Sequence, residues 1–431
     1  MNRPKRFVLP AEPGLKVTHN LFRYPAKFHA PVARGLLHAY VPPGSTVLDP
    51  FCGSGSLLVE AIISDRNSIG IDCDPVAAFV SRVKTTPIAG LEIASALRRL
   101  TRRLQPLERS AATYERFMFE DIALSDVYIT SSAEGLFVPA IPNLFHWFRH
   151  YVVLDLARIR AEIARLRVST AVRDALLLCF VSIIRSASNA DPVPVSGLEV
   201  TWHMLKRDAA GRLVNPFELF RAALTKLQLG VAELGASATA AATVSCADAT
   251  SLSTTITTPV DAVITSPPYH NAVDYYRRHQ LEMFWLGAVS TQSDRLRLLP
   301  SYIGRPKVPA SHPLLWEEPD LPSSATKLER QMRRVSGERA NAFRHYVVSM
   351  QHVFEQLASI LPRRAPAVFV VGKSSWNGSK IQTPLLFRDL ADPWFTLRDH
   401  LWYPLKNRYM SYSRHNAASI DREFVVVLSR R

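Results

Sequence analysis

The sequence predicts an α/β fold: a doubly wound, mostly parallel sheet carrying a helical insertion. Three observations lead there. Short apolar runs alternate with helical patterns in two separate series, acidic residues stand where several of those runs end, and a long stretch of helical periodicity divides the series.

The first series occupies residues 45–87. It reads as a strand over 46–48, a glycine-rich turn, a helix over 57–63, a second strand over 68–71 and another helix from Val76. The second series begins near Ala241 with a strand ending at Ser245, continues with a strand over 261–264, and is followed by a helix-like stretch over 271–286. An apolar-periodic segment over 341–361, a strand over 367–371 and a β-rich run over 423–428 match the far side of the same sheet. Residues 91–240 are dominated by helical patterns, such as 151–166 and 172–184, and read as an insertion that helps recognise a target. A second excursion, 288–340, is rich in Pro, Ser and charged residues, which suits a long surface loop with little regular structure. The expected plan is therefore a core over 1–90, 241–287 and 341–431, interrupted at 91–240 and 288–340.

Composition excludes several classes. With 47% hydrophobic and 21% charged residues, the chain of 431 residues has ample core material and is not a disordered protein. Its most apolar stretch, 175–184, is too short to span a bilayer, and the basic N-terminal stretch lacks the apolar segment of a signal peptide, so a cytoplasmic location without membrane contact is expected. Cys52, Cys73, Cys179 and Cys246 form no CxxC pair, and the histidines show no ligand spacing, so no metal is expected. Lys and Arg number 52 against 37 for Asp and Glu; the resulting +15 points to a polyanionic partner.

Asp49-Pro50-Phe51-Cys52-Gly53-Ser54-Gly55-Ser56 follows a strand and opens a helix, so its glycines fall where the backbone turns sharply and a ligand approaches closely. A dinucleotide fingerprint needs a third glycine where Leu58 stands, which disfavours dinucleotides. A sulfonium cofactor has a cationic, amino-acid end, and Asp49 can accept from its ammonium group. Asp72 ends the second strand about twenty residues on, where a carboxylate can accept both ribose hydroxyls. Asp74 instead suits the cap of the helix that begins after Pro75. Asp248 ends a third strand and can accept from an adenine amino group.

The set of residues 49–56, Asp72, Asp248 and the segment Ser266-Pro267-Pro268-Tyr269 resembles the S-adenosylmethionine-dependent DNA amino-methyltransferase family, N4-cytosine type. The resemblance implies a Rossmann-like class I methyltransferase fold. It also implies that Asp49, Phe51, Gly53, Gly55, Asp72 and Asp248 hold S-adenosylmethionine. Tyr24-Pro25-Ala26-Lys27-Phe28 resembles the segment that the family places beside the methionine part of the cofactor, which adds Tyr24 and Lys27. The resemblance covers both halves of the core and neither excursion.

Thr265-Ser266-Pro267-Pro268-Tyr269 ends the strand over 261–264, and its residues suit one chemical task. The exocyclic amine of a base is a poor nucleophile because its lone pair is delocalised into the ring. Two acceptors aimed at its two hydrogens, the Ser266 hydroxyl oxygen and the Pro267 carbonyl, would relocalise that pair toward the methyl donor. Pro268 fixes the backbone, and Tyr269 offers an aromatic face to a base flipped out of a duplex. In the resembling family Ser before Pro-Pro is typical of N4-cytosine enzymes and Asp or Asn of N6-adenine enzymes, so Ser266 implies cytosine. Double-stranded DNA is the expected partner. An N6-adenine enzyme, an RNA-base amino-methyltransferase and an inactive nucleic-acid-binding protein are the competing readings, and no RNA-binding module is recognisable.

Nucleic-acid contacts are expected from Arg277 and Arg278, which follow the catalytic motif, and from Arg408 and Arg414 in the basic and aromatic run 406–416. Arg98, Arg99, Arg102 and Arg103 lie on one side of a predicted helix, opposite Leu97, Leu100 and Leu104; a phosphate-facing stripe and a solvated face are equally compatible with this pattern.

Overall fold

A computed structural model describes residues 4–10, 14–192, 197–270, 274–376, 379–405 and 421–431. The main sheet contains β1 (Lys5–Arg6), β2 (Thr46–Asp49), β3 (Asn67–Asp72), β4 (Ala242–Cys246), β5 (Ala262–Thr265) and β6 (Pro366–Val371). A small hairpin follows, β7 (Ser374–Trp376) with β8 (Ser379–Ile381), and the sheet is completed by β9 (Phe395–Pro404) and β10 (Arg422–Arg430).

The strand order is β1-β9-β10-β6-β5-β2-β3-β4. From β2 the chain moves outward through β3 to β4, then crosses back to add β5 and β6 on the other side of β2, all in parallel. The reversal lies between β2 and β5, and open α/β sheets bind ligands at such a point, outside the carboxyl ends of the strands. β10 is antiparallel to both β6 and β9. Its first residues therefore lie at the edge where the parallel strands end.

Alternation along the strands explains why both faces are covered. On β6, Ala367, Phe369 and Val371 enter one core with Phe343 and Phe354 of α9 (Gly337–Ile360) and Phe387 of α10 (Thr383–Ala391). Val368 and Val370 enter the opposite core with Leu36 of α1 (Ala30–Tyr40) and Leu57 of α2 (Ser56–Ile62). A strand buried on both faces reads as a continuous apolar run, as the sequence of β6 does. This is the Rossmann-like, doubly wound architecture expected from the sequence.

The insertion is helical, with α4 (Gly90–Leu104), α5 (His150–Arg165), α6 (Thr170–Ala187) and α7 (Pro216–Ser237) as its long elements. They share a third core with α3 (Pro75–Thr85) and α8 (Gln280–Leu286). Trp285 of α8 sets its ring against Phe148 and Phe180, with centroids 6.0 and 5.7 Å away, so the insertion packs directly on the chain that follows the catalytic motif. On α4, Leu97, Leu100 and Leu104 are buried, while Arg98, Arg99, Arg102 and Arg103 are exposed.

Two expectations need correction. Residues 288–340 are not a loop with little regular structure: they hold helices Gln292–Leu298 and Ser323–Arg333. Thr291 and Asp294 form a reciprocal capping box at the first, and Ala325 and Met332 anchor the second in the core beside α9. The helix expected over 271–286 is instead a short turn of helix, Tyr275–Arg278, and then α8, separated at His279; residues 271–273 lie outside the described residues. β9 escaped the sequence reading because its middle, with Arg398, Asp399 and His400, is polar and only partly buried. Among the described residues no helix is long and apolar enough to cross a membrane.

Candidate functional site

The carboxyl ends of β2, β3 and β5 converge on a cleft of about 780 Å³ that opens to solvent. Its first wall is the turn after β2. Asp49 is buried, and its Oδ1 accepts from the Phe51 N–H at 3.1 Å and from the Thr265 hydroxyl at 2.6 Å. Burial pushes this carboxyl up to about 7, although both hydrogen bonds favour the ionised form. Asp49 thus stands behind the cleft, tying the glycine-rich turn to the strand that carries the catalytic motif.

Gly53 and Gly55 both have positive φ, +50° and +70°. A Cβ on Gly53 would sit 3.1 Å from the Tyr24 ring, and one on Gly55 would lie 2.9 Å from the Ser81 hydroxyl and 3.1 Å from its Cα. Conformation and space both require glycine there. Gly53 in turn donates its N–H to Asp72 Oδ2 at 2.8 Å, while Asp72 Oδ1 accepts from the Asp74 N–H at 2.9 Å. Burial, reinforced by the neighbouring Asp74 carboxylate, raises Asp72 to about 7.

Asp74 caps α3, as expected, by accepting from Val76 and Ala77 N–H at 2.8 and 3.3 Å. Its second oxygen holds His279 Nδ1 at 2.7 Å. Burial opposes charge on His279, yet the Asp74 carboxylate and its hydrogen bond outweigh that and raise its pKa. The His279 ring lies 5.1 Å from the Tyr24 ring, which stacks on Tyr275 at 5.7 Å. The sequence reading missed His279, because its partner is 205 residues away.

Of the expected cofactor residues, Tyr24, Lys27, Phe51, Gly53 and Asp72 line the cleft. Lys27 donates to the His19 carbonyl at 2.7 Å, and burial lowers it to about 8. Asp248 accepts the Thr250 N–H and hydroxyl, both at 2.8 Å, and so shapes the turn from which Ala249 lines the cleft. The far wall comes from Ser301, Tyr302 and Ile303 of the second excursion, which no sequence motif marks.

Ser266 and Pro268 of the catalytic motif line the same cleft. The Pro268 carbonyl accepts from the Tyr346 hydroxyl at 3.2 Å. Tyr269 lies against Gly372, where a Cβ would be 3.0 Å from its ring. Its hydroxyl donates to Glu423 Oε1 at 2.8 Å and is also hydrogen-bonded to the Ser266 side chain. Burial, then Glu423, raises Tyr269 well above the usual phenol range. The expected arginines divide. Arg277 is exposed, whereas Arg278 is buried beside Arg185 and Glu282, where burial lowers it to about 10. Arg278 is therefore not placed as a surface phosphate contact, because its helical turn faces the packed insertion. Arg408, Arg414 and the rest of 406–416 lie outside the described residues.

Residues 9–79 match the DNA methylase family. That segment contains the Tyr24–Phe28 stretch, the glycine-rich turn and Asp72. The type II methyltransferase M.MvaI of Kocuria varians is 26% identical over 148 residues, which are 34% of this chain and 29% of that protein. M.MjaII of Methanocaldococcus jannaschii is 35% identical over 69 residues, 16% of this chain and 13% of its own length. M.BsoBI of Geobacillus stearothermophilus is 35% identical over 68 residues, with the same two shares. This chain thus spans 29% or less of the length of these relatives. Among solved structures, the rRNA methyltransferase aviRa from Streptomyces viridochromogenes is similar at a TM-score of 0.32 and 12% identity, over 97% of this chain and 90% of that one.

Proposed function

We propose that this protein transfers a methyl group from S-adenosylmethionine to the exocyclic N4 amine of cytosine in double-stranded DNA, acting on a flipped-out base. One observation carries the reading: Ser266 opens onto the cleft that Gly53 and Asp72 also line, so an amine acceptor and a cofactor cradle share one cavity. The family match over 9–79 and the type II methyltransferase relatives support DNA as the polymer.

The residues present suit the cofactor. Each Asp72 oxygen already accepts one backbone N–H and keeps a lone pair, which suits a vicinal diol. The tight approach of Gly53 to the Tyr24 ring leaves the backbone bare where an extended amino-acid tail must pass. Bound there, S-adenosylmethionine supplies an electrophilic methyl on a good leaving group, so positioning supplies most of the catalysis. Ser266 Oγ and the Pro267 carbonyl accept the two amine hydrogens and aim the nitrogen lone pair at the methyl. With the Pro268 carbonyl taken by Tyr346, the backbone acceptor left to the motif is that of Pro267.

Incubating the protein with labelled S-adenosylmethionine and either DNA or RNA tests this. Label should appear in DNA and be recovered as N4-methylcytosine. Label recovered as N6-methyladenine, label in RNA alone, or no transfer at all overturns the proposal.

A further inference from the structure

Glu423 begins the core of β10, far in sequence from the catalytic motif. Because β10 runs antiparallel, this residue arrives at the edge where the parallel strands end. Its cross-strand partner on β9 is Tyr403, whose hydroxyl donates to Glu423 Oε2, while Tyr269 donates to Oε1 at 2.8 Å. His29, on the N-terminal side of the cleft, also feels the Glu423 charge. One carboxylate therefore holds two phenols, and one of these belongs to the catalytic motif.

The chemistry of the donors gives this cluster a direction. An ionised carboxylate only accepts, and a phenol has a single O–H. Since Tyr269 spends its hydrogen on Glu423, its oxygen can meet Ser266 only as an acceptor. Ser266 must then spend its own hydrogen on Tyr269. What Ser266 presents to the cleft is lone pairs alone.

We infer that Glu423 is a positioning residue: through Tyr269 it fixes Ser266 as an acceptor toward the substrate amine and ends the path by which the reaction's proton departs. This rests on the proposed methyl transfer. As the nitrogen–methyl bond forms and the sulfur–methyl bond breaks, the amine nitrogen becomes cationic and must lose one proton. That proton passes to Ser266 Oγ, the Ser266 proton to Tyr269 Oη, and the Tyr269 proton to Glu423 Oε1. Each hydroxyl is regenerated and Glu423 ends protonated. Its side chain is only half-buried, so the proton is then released to solvent.

Glu423→Gln tests the inference, because an amide of the same shape can donate as well as accept and no longer enforces a direction. The expected result is a fall of about 10- to 100-fold in single-turnover methyl transfer, the scale of a lost hydrogen bond to a charged group. Cofactor affinity and melting temperature should stay at their wild-type values. Tyr269→Phe should slow transfer comparably, and the double variant should be no slower than Tyr269→Phe alone, because both changes cut one chain. A Glu423→Gln protein within twofold of wild type, or losses that multiply in the double variant, overturns the inference. So does a loss of rate matched by loss of cofactor binding or of folding. A wild-type protein that methylates neither DNA nor RNA overturns the proposed function itself, and the inference with it.

Discussion

Two halves of one cleft are held by different means. On the cofactor side the anchoring bonds are short in sequence and use the backbone: Asp72 takes the N–H of Gly53 and Asp74, and Asp74 takes those of Val76 and Ala77. On the target side the anchors are side chains from distant strands and helices, with Tyr269 bound to Glu423, the Pro268 carbonyl bound to Tyr346, and Gly372 against the Tyr269 ring. The contrast teaches that the cofactor cradle is encoded as a local motif, whereas the methyl acceptor's site exists only once the whole sheet has assembled.

The sharpest way to break the comparison is to remove one acid from the cofactor side and one hydroxyl from the target side. Asp72→Ala should weaken S-adenosylmethionine binding by about 100-fold or more, since it removes charged acceptors for the ribose and orphans two backbone N–H groups. Calorimetric titration checks this. Ser266→Ala should do the reverse, slowing transfer by about 100-fold while leaving cofactor affinity nearly unchanged. If both variants lose cofactor binding equally, the two halves are not separable and the contrast fails.

Asp72 also makes the comparison sensitive to pH. Burial holds its carboxyl at about 7 in the folded protein, against about 3.9 for a free aspartate, so the folded protein binds this proton more tightly than the unfolded chain does. The stability linked to that proton is complete below about pH 4 and is lost as pH rises through about 7. Asp72→Asn should abolish this part of the pH dependence of the melting temperature. It should make the cofactor-free protein more stable than wild type at pH 8 even as it binds cofactor poorly. In the wild type, cofactor affinity should rise through the same window, because only the ionised carboxylate serves as a full acceptor. An affinity that is flat between pH 6 and 8 would place the ribose elsewhere.

Thr265 joins the halves, since its hydroxyl reaches Asp49 at 2.6 Å across neighbouring strands. Thr265→Val keeps the shape and removes the bond, leaving a buried carboxylate short of a donor. The expected cost is about 1–3 kcal/mol of stability, read as a lower melting temperature, with a loss of transfer rate that exceeds any loss of cofactor affinity.

The same contrast explains what was legible in the sequence. Strands β2, β3, β5 and β6, the glycine-rich turn and the Asp74 cap could be read directly, because alternation, φ-demanding glycines and capping are determined by residues a few positions apart. Asp49 and Gly55 were found, but behind the cleft rather than facing it. Glu423, His279, Tyr302 and Tyr346 were not found, for each acts through a partner that only tertiary packing delivers. His279 carries no motif of its own, and Tyr302 sits in a stretch whose Pro and Ser content suggested a bare loop. Arg278 failed in the opposite sense: a basic pair read as one surface feature is split by helical geometry, with one side chain outward and one inward.

That split gives the smallest and most selective prediction. Arg277 is exposed, and apart from a 3.3 Å bond to the Leu198 carbonyl its charge is available to solvent on the turn that follows the catalytic motif. Arg277→Ala should weaken DNA binding only a few-fold and reduce the salt dependence of the affinity by about one phosphate contact, uniformly across DNA sequences. Arg278 lies buried beside Arg185 and Glu282, so Arg278→Ala should act on folding, lowering the melting temperature while leaving the salt slope unchanged. Measuring both slopes separates the two neighbours: a loss of salt dependence on replacing Arg278 would mean that the insertion opens to admit the polymer, and the packed arrangement around Trp285 would then be a resting state rather than the working one.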